Sequence, residues 1–247
     1  MGARDILHAL TRRKRALSAV ILAGGASSRF GGETPKQYRE IAGLSVLGHT
    51  LRAFEACPEV SEIIVVCPEG DGEKVAAIAK DAGISKFRCA VRGGETRQRS
   101  AILGFAQISE KCGYVAFHDA ARCLITPEAI SAVYREAVLS GTGAIACAPV
   151  TDTVKKKTAL GTVEETLDRD GLAAAATPQI FRENLYRAVA YTAQRDGFVG
   201  TDEASLCEHY GFSVRLVDCG RSNIKITYPE DLLFAEAVLK SRGEEKA

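Results

Sequence analysis

Ala19-Val20-Ile21-Leu22-Ala23-Gly24-Gly25-Ala26-Ser27-Ser28-Arg29-Phe30-Gly31-Gly32-Glu33-Thr34-Pro35-Lys36-Gln37 begins as a buried apolar strand and breaks into a loop with four glycines and two serines. Two cations, Arg29 and Lys36, stand seven positions apart in and beyond that loop. This is the composition of a phosphate site. Glycine lets backbone N–H groups approach an anion closely, and such loops form concavities lined by partial positive charge. A Walker A loop is excluded, because Ser28-Arg29-Phe30 stands where G-x-x-x-x-G-K-[ST] needs other residues, and a G-x-G-x-x-G is excluded because no glycine lies between Gly25 and Gly31. An ordinary glycine-rich turn would account for the glycines but not for the cations beside them.

Outward from this loop, short β-branched runs alternate with amphipathic segments of helix length. Strands are predicted at Ala19–Leu22, Glu62–Cys67, Phe87–Val91, Tyr114–His118 and Ala144–Val150, with helices at Val46–Ala56, Glu73–Ala82, Thr96–Ile108 and Pro127–Leu139. Ile102, Phe105, Ala106 and Ser109 are expected on one face of the third helix. Thr126-Pro127-Glu128 has the N-cap, proline and acid of a helix start. The β-α-β-α rhythm predicts an α/β fold with a doubly wound, mostly parallel sheet, whose ligands lie beyond the carboxyl ends of the strands. Four polar clusters fall at such ends: the opening loop, Arg92–Ser100, Asp119–Arg122 and Asp152–Thr153. They are expected to converge on one crevice.

The rhythm breaks between about Thr151 and Gln179, where a polar, loosely alternating stretch centred on Gly161 predicts a two-stranded β-arm projecting from the sheet. About thirty residues without a core of their own call for a packing partner, most simply a second copy of the chain. Beyond it, Arg182–Arg195 and Asp202–Tyr210 read as helices, Val214–Val217 and Ile224–Thr227 as strands, and Pro229–Lys240 as a closing helix. One domain over residues 18–242 is expected, with a basic lead-in at 1–17 and a tail at 243–247.

Composition narrows the class. Of 247 residues, 32 are basic and 31 acidic, so a net charge of +1 creates no global field for nucleic acid or an anionic membrane. No apolar stretch approaches the roughly 18–20 residues of a membrane span. The eight cysteines show no C-x-x-C spacing, and several lie in apolar runs, which fits buried reduced thiols and the cytoplasm. Arg12-Arg13-Lys14-Arg15 lacks the apolar region of a signal peptide and reads as a solvated helical lead-in, with an Arg-rich transit peptide as the weaker alternative.

Gly93-Gly94-Glu95-Thr96-Arg97-Gln98-Arg99-Ser100 repeats the strand–loop–helix logic, with Thr96 as cap. His118-Asp119-Ala120-Ala121-Arg122 ends a hydrophobic strand with an acid and a base. Asp119 suits Mg²⁺ held near phosphates, and Arg122 suits either the acid or an anion; a structural Asp–Arg pair is the plain alternative. Lys155-Lys156-Lys157 reads as a solvated face. The four histidines form no ligand set and no G-x-S-x-G occurs, which disfavours zinc chemistry and covalent catalysis.

With these segments placed, the chain resembles the 2-C-methyl-D-erythritol 4-phosphate cytidylyltransferase family over about residues 18–239. The resemblance rests on Leu22–Arg29, Pro35-Lys36-Gln37-Tyr38, Gly93–Ser100, His118–Arg122, Ala148–Thr153, Asp168-Arg169, Thr177-Pro178-Gln179, Thr201-Asp202-Glu203-Ala204-Ser205 and Asn223–Asp231, in the family's order. It implies a Rossmann-like nucleotidyltransferase fold, a homodimer joined through the arms, Mg²⁺, and transfer of a cytidylyl group from CTP to methylerythritol phosphate with release of pyrophosphate. Arg29 and Lys36 match cations around the triphosphate. Ala23, Gly24, Gly94, Glu95 and Ser100 match positions around cytosine and ribose, with Gly25 in the same loop. Asp119 and Arg122 match the acid and base beside metal and substrate. Thr153, Arg169, Thr177 and Lys225 match positions holding methylerythritol phosphate, the first two on the arm and therefore candidates for the partner's site. Phe30 departs from the usual Met and Cys123 from a common Pro. Ribitol 5-phosphate cytidylyltransferases share most of these motifs, and a nucleotide sensor on the same fold is the non-enzymatic alternative.

The chemistry fits these residue types. A phosphomonoester with a second pKa near ~6 is already mostly dianionic at neutral pH and needs no general base. What it needs is placement against a triphosphate and stabilisation of charge on the α-phosphoryl oxygens and the leaving pyrophosphate. Arg29 and Lys36 are expected to serve the nucleotide side, Arg169 and Lys225 the acceptor side.

Overall fold

The protein is described from a computed structural model, which covers residues 15–25, 30 and 34–243. Arg29 and the basic segment at 1–14 lie outside the described residues.

Seven strands form one sheet in the order β11-β7-β10-β6-β1-β4-β5. They are β1 (Ala16–Leu22), β4 (Val60–Cys67), β5 (Phe87–Arg92), β6 (Cys112–Asp119), β7 (Gly143–Pro149), β10 (Ala173–Arg182) and β11 (Arg215–Asp218), and β2 (Glu40–Ile41) with β3 (Leu44–Ser45) makes a separate two-residue hairpin. All sheet pairings are parallel except those of β10, which runs antiparallel to both β6 and β7. Side chains alternate along each strand, and here both faces are apolar. Leu17, Ala19 and Ile21 of β1, with Tyr114 and Ala116 of β6, enter one core cluster. Val20, Val115 and Phe117 enter the other. A sheet apolar on both faces must be covered on both.

The first face is covered by α1 (Val46–Ala56), α2 (Gly72–Asp81) and α4 (Pro127–Ser140), through residues such as Phe54, Val75 and Ile130. The second is covered by α3 (Arg97–Phe105), α5 (Glu183–Asp196) and α6 (Glu203–His209), through Phe105, Tyr186 and Leu206. Helix α7 (Glu230–Ser241) packs Ala235 and Leu239 in a third cluster with Phe30, Val46 and Ile226. Gly104 explains how closely α3 lies on the sheet, since a Cβ there would fall 2.5 Å from Val20 Cγ1 and 2.6 Å from Val66 Cγ2. The strand order reverses at β1: β4 and β5 lie on one side and β6 on the other. There Leu22 is in register with Asp119, so the ends of β1 and β6 bound the crevice expected of a doubly wound sheet.

Several sequence expectations need correction. The lead-in ends earlier than residue 17, because Ala16 and Leu17 belong to β1 and Leu17 is fully buried. Ala106 is exposed, and the buried face of α3 is Ala101, Gly104 and Phe105; the helix stops short of Ile108 in turns. The stretch from 173 to 179 leaves the predicted arm and joins the central sheet as β10. Four alanines and a proline are poor strand formers. Pairing of Ala173–Ala175 with β7 and of Gln179–Phe181 with both β6 and β7 imposes the strand, and its register against β7 shifts between Ala175 and Gln179, where Pro178 has no N–H to donate.

Ile224–Thr227 is not a strand despite its alternating residues. Its backbone is held one group at a time: Ile226 N–H donates to Ala121 O at 2.8 Å, and Ile226 O accepts the Lys36 ammonium at 2.6 Å. Within 151–172, β8 (Lys155–Lys157) and β9 (Val163–Thr166) pair only with each other, and all seven residues are exposed. The lysine triplet is therefore a solvated face, with Lys156 Nζ 2.9 Å from Glu164.

Candidate active site

At the crevice lies an open cavity of about 410 Å³. It is lined by Ala23, Gly24 and Gly25, which follow β1, by Gly94 and Glu95 from the turn before α3 and Ser100 within that helix, and by Lys36, Asp119 and Lys225. Three of the four predicted clusters thus converge, the opening loop through its described part. Asp152 and Thr153 do not; Thr153 and Arg169 are exposed outside the cavity lining, and Arg169 donates to Thr151 O at 2.6 Å.

Each wall is held by local chemistry. Thr96 caps α3 by accepting from Arg99 N–H at 3.0 Å, and Ser100, one turn inside, accepts from Gly94 N–H at 3.1 Å. That link closes the Gly93–Ser100 turn onto its helix, and a Cβ on Gly94 would fall 2.3 Å from Arg99 Cγ. The buried Gln37 amide donates to Ala23 O at 2.8 Å, fixing the loop after β1 to the short helix carrying Lys36.

Asp119 is the centre of charge. Its side chain is only 12% exposed, with Lys225 Nζ 2.9 Å and Arg122 Nε 3.6 Å from Oδ2, and Arg97 Nε 3.7 Å from Oδ1. Burial works against the carboxylate, but Lys225 and Arg97 outweigh it and hold the pKa down at about 2. Arg122 does not line the cavity; it braces Asp119 and donates to Asn223 O at 2.9 Å. Burial lowers the Arg122 pKa against the pull of Asp119. Arg97 pairs behind with Glu203, Nη1 lying 2.9 Å from both carboxylate oxygens. Burial alone would lower the Arg97 pKa, and Glu203 and Asp119 more than reverse that.

Thr177 is not among the residues that line the cavity. It is buried behind the cavity, where its hydroxyl accepts Asp119 N–H at 3.0 Å and so donates to His118 Nδ1 at 3.0 Å. His118 then carries its proton on Nε2 and donates to Arg122 O at 3.2 Å. Burial lowers the His118 pKa to about 3, so the ring is neutral and serves as a strut for the 119–122 turn. The sequence reading gave no role to Arg97 or Glu203. Their signals were present: Arg97 directly follows the cap of a helix at a strand end, and Glu203 opens a helix after Asp202.

Among the described residues no group of three or more His, Cys, Asp and Glu side chains is placed to hold a metal ion. The cavity lining does offer two carboxylates, Asp119 and Glu95, which fits Mg²⁺, an ion commonly bound by one or two carboxylates together with substrate phosphates.

A doubly wound sheet with a cation-rich cavity at its switch point is suited to phosphate-bearing ligands, the class to which nucleotidyltransferase substrates belong. The chain's likeness to solved structures agrees. It superposes on the 4-diphosphocytidyl-2C-methyl-D-erythritol synthase of Anaerococcus prevotii with a TM-score of 0.80 and 28% identity, covering 92% of this chain and 97% of that one. For the 2-C-methyl-D-erythritol 4-phosphate cytidylyltransferase of Thermus thermophilus the TM-score is 0.73 at 29% identity, over 91% and 99%. Relatives bearing the same name in Rubrobacter xylanophilus and Pelotomaculum thermopropionicum are 43% and 41% identical, over 91% and 92% of this chain and 95% of each relative. The family model for 2-C-methyl-D-erythritol 4-phosphate cytidylyltransferase (IspD) matches residues 17–241, and the chain belongs to that family.

Proposed function

We propose that this cavity transfers a cytidylyl group from CTP to 2-C-methyl-D-erythritol 4-phosphate, releasing pyrophosphate, by in-line attack of the acceptor phosphate on the α-phosphate without a covalent intermediate. The observation that carries this reading is the charge pattern: Lys36, Arg97 and Lys225 line one cavity with two carboxylates, Glu95 and Asp119, and both Arg97 and Lys225 face Asp119. Two phosphate-bearing substrates supply the negative charge such an arrangement lacks.

Backbone amides after Leu22 and the turn at Gly94–Ser100 suit the nucleotide, Ala23, Gly24 and Gly25 on one side and Gly94, Glu95 and Ser100 on the other. Arg29 and Lys36 act on the triphosphate. Lys225 exchanges part of its pairing with Asp119 for the acceptor phosphate, while Arg122 and Thr177 hold Asp119 in place from behind. His118 is neutral and behind the strand end, so the acceptor dianion is its own nucleophile. Asp119 would hold Mg²⁺ at the cavity, where the ion would supply neutralisation of charge on the triphosphate.

The acceptor side is completed by a second copy. Thr153 and Arg169 lie outside their own chain's cavity on an exposed β8–β9 excursion bearing Leu160, 92% exposed, and Val163, 63% exposed. A homodimer joined through these arms buries that apolar surface and brings both residues to the partner's site. Residues 18–242 act as one domain. All eight cysteines are free thiols and no helix among the described residues is long and apolar enough to cross a membrane, which fits a cytoplasmic enzyme. Pyrophosphate release from CTP, measured with methylerythritol phosphate and with ribitol phosphate, tests the reading. Turnover with ribitol phosphate alone overturns the acceptor, and nucleotide binding without turnover overturns the enzyme.

A further inference from the structure

The segment joining α5 to α6 never touches the cavity, yet two neighbouring side chains of α3 hold it. Gln98 donates from Nε2 to Phe198 O at 3.1 Å and accepts Gly200 N–H at 3.0 Å through Oε1. Arg97, the residue before it, takes the Glu203 carboxylate. From below, Gln179 of β10 donates to Asp202 Oδ2 at 2.7 Å and accepts Ala204 N–H at 3.0 Å. Asp202 caps α6 in turn, accepting Ser205 N–H at 2.9 Å. Glu203 is thereby pinned by residues on both sides of it and is 1% exposed.

A carboxylate so buried and so held has, among the described residues, one partner cation, Arg97, whose Nε faces Asp119. A guanidinium presents its donors in a rigid planar fork, so anchoring Nη1 on Glu203 restricts the directions in which Nε can face Asp119. From this geometry we infer that Glu203 is a positioning residue for cytidylyl transfer: it locks Arg97, and Arg97 sets the Asp119 carboxylate in the cavity against the opposing pull of Lys225. Without that lock, Arg97 no longer keeps Asp119 at its present distance, and the spacing between acceptor and nucleotide changes. Misplacement of this kind lowers rate rather than substrate binding.

The inference rests on the proposed reaction, so wild-type enzyme with CTP and methylerythritol phosphate is assayed first; failure there concerns the reaction and not Glu203. Glu203→Gln, Arg97→Ala and the double variant are then measured for kcat and for each KM, with melting temperatures. Glu203→Gln is expected to lower kcat about tenfold or more with KM for CTP within about twofold, and the double variant is expected to be no slower than Arg97→Ala, because the two residues act as one unit. A folded Glu203→Gln enzyme with wild-type kcat, or losses that multiply in the double variant, overturns the inference. Should Glu203→Gln not fold, Arg97→Lys decides. Lysine keeps the charge between the two carboxylates but lacks the fork, so kcat falls with KM kept if orientation matters, and wild-type kcat shows that it does not.

Discussion

Asp119 and Arg169 are both charged residues of the proposed reaction, but they stand in opposite surroundings. Asp119 ends a buried strand, is 12% exposed at its side chain and has three cations within 3.7 Å. Arg169 lies on an exposed turn beyond β9 with a backbone carbonyl at 2.6 Å. The first is preorganised by the fold of one chain, so its electrostatics exist before substrate arrives. The second is carried on a segment that buries nothing within its own chain. On the proposed reading, the cavity electrostatics are set within one chain, whereas Arg169 reaches an acceptor site only through a second copy.

The sharpest break of that contrast lies at Lys36. Lys36→Ala is expected to lower kcat by about 10²–10³, the usual loss for one preplaced electrostatic group, and to do so in every protomer that carries it. Pyrophosphate release at saturating substrates checks this. Arg169→Ala is expected to lower kcat/KM for the acceptor about 10- to 100-fold, the size of a charged hydrogen bond, while leaving CTP affinity unchanged. If arms cross, mixing Lys36→Ala and Arg169→Ala protomers restores activity, since some dimers then contain one intact site. No gain on mixing returns Arg169 to its own chain.

A smaller effect sharpens the preorganised half. Folded His118 stays neutral down to about pH 3, while the unfolded chain takes up a proton below about 6.5, so stability is fully present above 6.5 and falls on acidification by up to about 1.4 kcal/mol per pH unit. Asp119 acts in the same direction at lower pH, between about 3.8 and 2. His118→Phe is expected to flatten urea-unfolding stability between pH 6.5 and 4.5, and an unchanged slope sinks the assignment of that loss to His118. The smallest effect belongs to the arm. Leu160→Ser is expected to change subunit stability by no more than about 0.5 kcal/mol, as for surface sites generally, but to weaken self-association in sedimentation.

Much of the architecture was legible because parallel strands buried on both faces read as apolar runs. Val60–Cys67 and Cys112–Asp119 extend the predicted strands by two residues at most at either end. Phosphate-type loops were legible from glycines beside cations. Elements whose conformation is imposed from outside were not. β10 is composed against its own propensity and exists because β6 and β7 flank it, and Ile224–Thr227 alternates like a strand while its backbone bonds a lysine side chain and a turn.

For the site, Ala23, Gly24, Gly94, Ser100, Lys36, Asp119 and Lys225 could be named from motifs because short-range patterns carry them, and the cavity lining gathers all of them. Thr177 could be named but not placed: whether a hydroxyl faces a substrate or a backbone amide depends on residues 58 and 59 positions away, Asp119 and His118. The opening stretch by itself determined the expectation of an anion site, since amides, glycines and cations adjacent in sequence need no distant partner to suggest one. Which carboxylate those cations balance, and that Arg97 is held from behind by a residue 106 positions on, was decided only by tertiary structure, because charge interactions depend on distance in space.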